Sequence, residues 1–94
     1  MLVKVHYYAM LREITGKKQE EFVIENKIKF SKFLKNLADN YGDALGNKIY
    51  ENHGRHRNYL IYLINGRNIH SEEGFETRLN EGDSIAIMPP VGGG

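Results

Sequence analysis

The residues best suited to chemistry stand at the carboxyl end, where the sequence reads Pro89-Pro90-Val91-Gly92-Gly93-Gly94. Proline fixes its own φ and cannot donate to a strand ladder, so Pro89 and Pro90 end a strand and keep the chain extended. Glycine has no side chain, so the last three residues can enter a channel too narrow for any other residue. We therefore predict a flexible tail over residues 89–94 that delivers the Gly94 carboxylate to a partner.

A carboxylate is a weak electrophile, so the chemistry open to Gly94 begins with activation. Adenylation by ATP gives a mixed anhydride, from which a nucleophile displaces AMP. A sulfur nucleophile leaves a thiocarboxylate on Gly94, whereas an amine leaves an amide. The competing interpretation is an inert, flexible terminus.

Other groups of reactive side chains are interpreted as structural. The basic segment His53–Arg57 contains two histidines that could ligate a metal or bind an anion, but its glycine and the flanking asparagines favour a solvated loop. Ser71 directly follows His70, and adjacent residues do not form a catalytic triad. The acid pairs are sequence neighbours on segments that we predict to be exposed, Glu20-Glu21 and Glu72-Glu73.

Composition excludes several classes of function. The chain has 94 residues and no cysteine, which excludes disulfides, thiolate nucleophiles, iron–sulfur clusters and cysteine-bound zinc. Thirteen basic and twelve acidic residues give a net charge of +1, so we expect neither a nucleic acid nor a membrane as partner. The longest apolar run, Tyr59–Ile64, is too short to span a membrane, and no signal-peptide pattern opens the chain. We expect a small cytoplasmic protein that works with partners.

Hydrophobic periodicity predicts the elements that must position the tail. Residues 2–9 alternate, with Val3, Val5 and Tyr7 on one face and Tyr8 on the other. The remaining predicted elements are a strand at 19–25, a helix at 31–41, a strand at 59–65 and a strand at 84–88. The strand at 59–65 is almost continuously apolar, which predicts a central strand covered on both faces.

Local signals refine these boundaries. Ser31 is a candidate N-cap of the helix, and Gly42 stands where a C-terminal glycine belongs. Asn65-Gly66 predicts a tight turn. Residues 43–58 are predicted to be irregular, with a possible short helix over residues 44–50.

The resulting order, β-β-α-β-β, predicts the α+β class. A mixed four- to five-stranded sheet packed on one main helix, with a crossover through that helix, is the β-grasp arrangement of ubiquitin. We expect one β-grasp domain over residues 1–88, followed by the tail.

Three segments of the sequence resemble the MoaD family, the ubiquitin-like sulfur carriers that form the small subunit of molybdopterin synthase. They are the opening strand and turn Val3–Gly16, the turn Asn65–Ile69 and the closing stretch Leu79–Gly94. The closing stretch is the most specific, since Gly-Asp, a strand, Pro-Pro-Val and Gly-Gly follow one another in register. Gly92 stands where the family commonly has serine, alanine or threonine.

The resemblance implies that this protein binds no cofactor and that an E1-like enzyme uses ATP to adenylate Gly94. A sulfur donor would then form the thiocarboxylate, and residues 89–94 would enter the large molybdopterin synthase subunit, where sulfur passes to a pterin precursor. It also implies a docking surface of exposed apolar residues, Tyr8 and Met88 with Ile69 nearby. Arg12 matches the family's turn arginine and could contact a partner.

Two other functions remain open from the sequence. A ubiquitin-like modifier would share the fold and the adenylated glycine, but the acyl group would end on a target lysine. A passive β-grasp adaptor would bind a partner through its sheet while the tail stays inert.

Overall fold

The computed structural model describes residues 1–90, and residues 91–94 lie outside the described part. Within residues 1–90, five strands and three helices follow one another. They are β1 Leu2–Tyr7, α1 Met10–Thr15, β2 Gln19–Val23, α2 Phe30–Tyr41, α3 Asp43–Ile49, β3 Ile61–Ile64, β4 Arg67–Asn68 and β5 Ser84–Met88. Two single 3₁₀ turns, Ile69–Ser71 and Gly74–Glu76, lie between β4 and β5.

The five strands form one mixed sheet in the order β2-β1-β5-β3-β4. The first and last strands, β1 and β5, run parallel, and every other neighbouring pair is antiparallel. A hairpin, a helix on one face and a last strand inserted beside the first make up the β-grasp fold. The predicted fold class is thus confirmed.

The prediction that residues 59–65 form the central strand is wrong. The centre belongs to β5, while β3 lies next to the two-residue edge strand β4. Tyr62 and Ile64 face the core, but Ile61 and Leu63 are only half-buried. The apolar run is continuous because the outward side chains of β3 are also apolar, and no second layer of the described chain covers them.

The core lies between the inner face of the sheet and α2. Val3, Val5 and Tyr7 of β1 are fully buried, as the alternation predicts. The helix contributes Phe33 and Leu34, and ring contacts join α2 to the sheet: Phe22 to Phe33 at 5.5 Å and Phe30 to Tyr62 at 5.4 Å between centroids.

The main helix begins one residue earlier than predicted, and Ser31 is not its N-cap. Lys29 occupies that position without a side-chain cap. Phe30 is fully buried, and its N–H donates to the Thr77 carbonyl at 2.8 Å, so tertiary packing determines where the helix begins. Gly42 is confirmed at the C-terminus, with φ 73° and its N–H donating to Ala38. The possible short helix is also present, as α3.

Candidate functional site

The base of the tail emerges from the centre of the sheet. Met88 is the last residue of β5 and pairs with Ile61 of β3. On the other side of β5, Ile87 pairs with Tyr7, so Tyr8 follows β1 directly beside the end of β5. Pro89 and Pro90 come next and are half-buried. The predicted tail therefore starts between β1 and β3.

An apolar surface lies on the outward face of the sheet at this point. Because Ile85 and Ile87 face the core, Ala86 and Met88 point to the opposite face, and Leu63 pairs with Ala86. We call these side chains the open-face patch, which consists of Tyr8, Ile61, Leu63, Ala86 and Met88. Contiguous apolar surface outside a core is typical of an interaction site. The predicted proximity of Tyr8 and Met88 is confirmed by the register.

Arg12 lies at the border of the open-face patch. Its Cζ is 5.5 Å from the centroid of the Tyr8 ring, within reach of a cation–π interaction. Its Nε donates to the Tyr7 carbonyl at 2.9 Å, which holds the guanidinium over β1. No carboxylate of residues 1–90 lies within 4 Å of Arg12. The arginine thus offers a positive charge next to apolar surface.

The prediction that Ile69 belongs to the docking surface is wrong. Ile69 is 0% exposed and packs in the core at the start of the first 3₁₀ turn. Sequence reasoning also missed Ile61, Leu63 and Ala86. The signal for Ile61 and Leu63 is the unbroken apolar run of β3, and the signal for Ala86 is its alternation with the buried Ile85 and Ile87 of β5. The predictions for Val91, Gly92, Gly93 and Gly94 lie outside the described residues.

The segment His53–Arg57 does not bring its histidines to one site. His53 Nε2 lies 3.1 Å from a Glu51 carboxylate oxygen, whereas the His56 ring stacks on Phe75 with centroids 3.8 Å apart. Within residues 1–90, no three side chains of the metal-ligating types are grouped to hold an ion. The interpretation as a wholly solvated loop is wrong for His56, which is half-buried.

Glu20 likewise differs from its predicted exposed state. Its Oε1 accepts hydrogen bonds from the Tyr7 hydroxyl at 2.9 Å and the Tyr41 hydroxyl at 2.5 Å. Lys17 Nζ donates to the other oxygen at 2.9 Å. Burial alone would raise the pKa of Glu20, but the hydrogen bonds from Tyr41, Lys17 and Tyr7 outweigh it and hold this pKa below its usual value. This arrangement joins β1, β2 and α2 and is structural.

The helices are short elements of this small fold. Within the described part of the chain, none has the length and apolar content needed to cross a membrane.

Comparison with known proteins gives one family and several relatives of similar length. The model of the ThiS family matches residues 5–94. Small archaeal modifier protein 3 of Haloferax volcanii is 29% identical over 94 residues, covering all of both chains. The solution structure of small archaeal modifier protein 1 from Methanosarcina acetivorans is 37% identical, with a TM-score of 0.85 over 99% of this chain and 96% of that chain.

A more distant match has the same fold. It is a Pyrococcus furiosus protein that carries the provisional name molybdopterin converting factor, subunit 1. The identity is 20% and the TM-score 0.77, over 97% of this chain and 99% of that chain.

Proposed function

Because the chain belongs to the ThiS family, we propose that it is a ubiquitin-like modifier, joined through the Gly94 carboxylate to lysine side chains of target proteins. The observation that carries this proposal is the full-length similarity to two small archaeal modifier proteins. This reverses the order of functions expected from the sequence, where the molybdopterin synthase subunit came first. The open-face patch at the base of the tail also supports the proposal, because it provides a docking surface that is separate from the reacting Gly94 carboxylate.

Activation would take place on an E1-like enzyme that binds ATP. A Gly94 carboxylate oxygen attacks the α-phosphorus, a P–O bond to the leaving pyrophosphate breaks, and an acyl adenylate forms. The deprotonated ε-amine of a target lysine then attacks the acyl carbon, AMP leaves with the bridging oxygen, and the nitrogen loses a proton to solvent, which gives an amide. The described residues of this chain supply docking and orientation. Because this activation consumes ATP, we propose that the protein works in the cytoplasm.

Docking on the E1-like enzyme is proposed to use the open-face patch together with Arg12. Tyr8 is 38% exposed and stands beside Met88, next to the start of the tail. A partner that covers these side chains buries apolar area and also controls the direction in which residues 89–94 leave the sheet. A carboxylate on the partner would pair with Arg12.

A sulfur carrier for molybdopterin synthesis is the second candidate. It is favoured by the motifs of the closing stretch and by the fold shared with the Pyrococcus furiosus protein. In this case a sulfur donor, rather than a lysine, displaces AMP, and the thiocarboxylate tail enters the large synthase subunit. Both candidates share the adenylated intermediate, so one protein can serve both.

The test is the intact mass of the protein after incubation with ATP, the E1-like enzyme of the same organism and a sulfide source. A mass increase that matches one oxygen replaced by sulfur would establish the carrier. Thiol-resistant adducts of high mass in cells would establish the modifier. A variant lacking Gly93 and Gly94 should show neither. If the full chain gives neither product while the enzyme activates another carrier, both candidates fail and the adaptor function gains support.

A further inference from the structure

Residues 51–57, which we call the flap, form a closed loop after α3. The Glu51 N–H donates to the Arg55 carbonyl at 2.7 Å, and the Arg57 N–H donates to the Ile49 carbonyl at 2.8 Å. Arg57 Nε also donates to the carbonyls of Asn47 and Tyr50, at 2.8 and 3.0 Å. These bonds hold the flap to α3 but not to the rest of the domain.

His56 provides the contact between the flap and the core. Its ring lies almost parallel to that of Phe75, with an angle of 10° between the planes. Phe75 in turn stacks on the buried Phe30 and meets Tyr62 edge-on. The Tyr50 ring lies 5.1 Å from His56. One imidazole thus joins a polar surface loop to the aromatic part of the core.

This imidazole sits in a place that favours its neutral form. Its Nε2 is buried and has no hydrogen-bond partner in residues 1–90, and no carboxylate of these residues lies within 4 Å of it. The ionisable group packed directly against it is the phenol of Tyr50, while Tyr62 and His70 lie against other sides of Phe75. Arg55 and Arg57 flank it in the chain. None of these groups offers a negative charge to an imidazolium at neutral pH.

The flap lies at the functional end of the sheet. From His56 the chain runs through four residues to Ile61, which pairs with Met88 at the base of the tail. A change in the flap therefore reaches the segment that borders the start of the tail.

We propose that the flap is an acid-released device: protonation of His56 detaches its ring from Phe75, so that the flap opens and exposes Phe75 and Tyr62 near the base of the tail. This inference does not depend on the proposed function. The closed form holds a neutral imidazole, and burial lowers the pKa of His56. The open form takes up a proton at the ordinary pKa of about 6.5, so opening is favoured as the pH falls below that value and levels off below the pKa of the closed form.

Hydrogen exchange of the wild-type protein, read amide by amide by NMR, tests the proposal. Between about pH 7.5 and about pH 5, we expect the protection factors of the Glu51 and Arg57 amides to fall about fivefold or more after correction for intrinsic exchange. The Tyr7 amide, which donates to Lys18 from within the sheet, should not change. His56→Phe keeps a stacked ring that cannot be protonated, and it should abolish the effect. His53→Phe changes the exposed histidine and should leave the effect intact.

A direct titration of His56 in the wild-type protein keeps the test independent of how the variants fold. Its ring protons should report a pKa below about 6.5. A pKa at or above that value would overturn the proposal. Protection factors that do not change with pH, or that change equally in His56→Phe, would do the same.

Discussion

The side-chain amide of Asn65 donates to a carboxylate oxygen of Asp83 at 2.9 Å. The other Asp83 oxygen accepts from the Asn80 N–H at 2.7 Å, and the Asn65 side-chain oxygen accepts from the Ser84 N–H at 2.9 Å. Asn65 also has φ 52°, so its backbone forms the tight turn after β3. The Asn-Gly turn and the Gly-Asp turn are therefore one structural unit that attaches β3 to the beginning of β5.

Replacing Asp83 should lower stability more than a typical surface change. Asp83→Ala leaves the Asn65 amide and the Asn80 N–H without their acceptor, in a place where Asp83 is 7% exposed. We expect a loss of about 1–3 kcal/mol in the free energy of unfolding, measured by urea denaturation. Glu13→Ala, at an exposed site without an ion pair in residues 1–90, is the matched control and should stay within about 0.5 kcal/mol. Equal effects would contradict a structural role for the Asp83 carboxylate.

The Tyr7–Glu20–Tyr41 contact should make stability depend on pH. The folded pKa of Glu20 is lowered, so its stabilising contribution is present above the unfolded pKa of about 4.3 and is lost as the pH falls through the folded value. Glu20→Gln should therefore destabilise the protein by about 1–2 kcal/mol at neutral pH. The difference from the wild type should shrink below about pH 4.

Urea unfolding of both proteins at neutral and acidic pH measures this difference. Glu21→Gln, one residue along β2 on the outward face, is the control and should have little effect at either pH. A Glu20→Gln difference that stays constant with pH would show that the charge of Glu20 does not stabilise the fold.

The open-face patch should control activation without controlling stability. Tyr8→Ser removes an exposed ring beside Met88, and we expect kcat/KM for adenylation by the E1-like enzyme to fall about tenfold, in the range of an interface anchor. The readout is ATP–pyrophosphate exchange. Val23→Ser is the control. Val23 is 86% exposed, but it pairs with Leu2 at the start of β1, whereas Tyr8 follows the end of β1. If both variants react equally fast while both fold, the enzyme does not dock on this patch.

Deletion of Gly94 should separate function from folding. The sheet ends at Met88, so the deletion should change the free energy of unfolding by less than about 0.5 kcal/mol. The new terminal carboxylate, on Gly93, is one residue short of the position of Gly94, so we expect adenylation to fall sharply. Gly92→Ser should retain activity, because serine is common at this position in the MoaD family, which this sequence resembles. A large loss of stability on deletion would mean that the tail packs on the domain.

Some features of this protein follow from short segments of sequence. Alternation predicted β1 and its buried residues, the helical period predicted α2, and Gly42 predicted the end of α2. The proline pair predicted the end of β5. Each of these signals depends on a few neighbouring residues, because a strand or helix records in its own period which side faces the core.

Only the tertiary structure decided how the elements meet. Neither the place of β3 beside an edge strand nor the burial of Ile69 follows from local pattern, since both depend on which strand inserts next to which. Glu20 and His56 have polar side chains that sequence reasoning placed in solvent. Their partners come from distant segments: the Tyr7 and Tyr41 hydroxyls offset the burial of the Glu20 carboxylate by hydrogen bonds, and Phe75 holds the His56 ring by stacking.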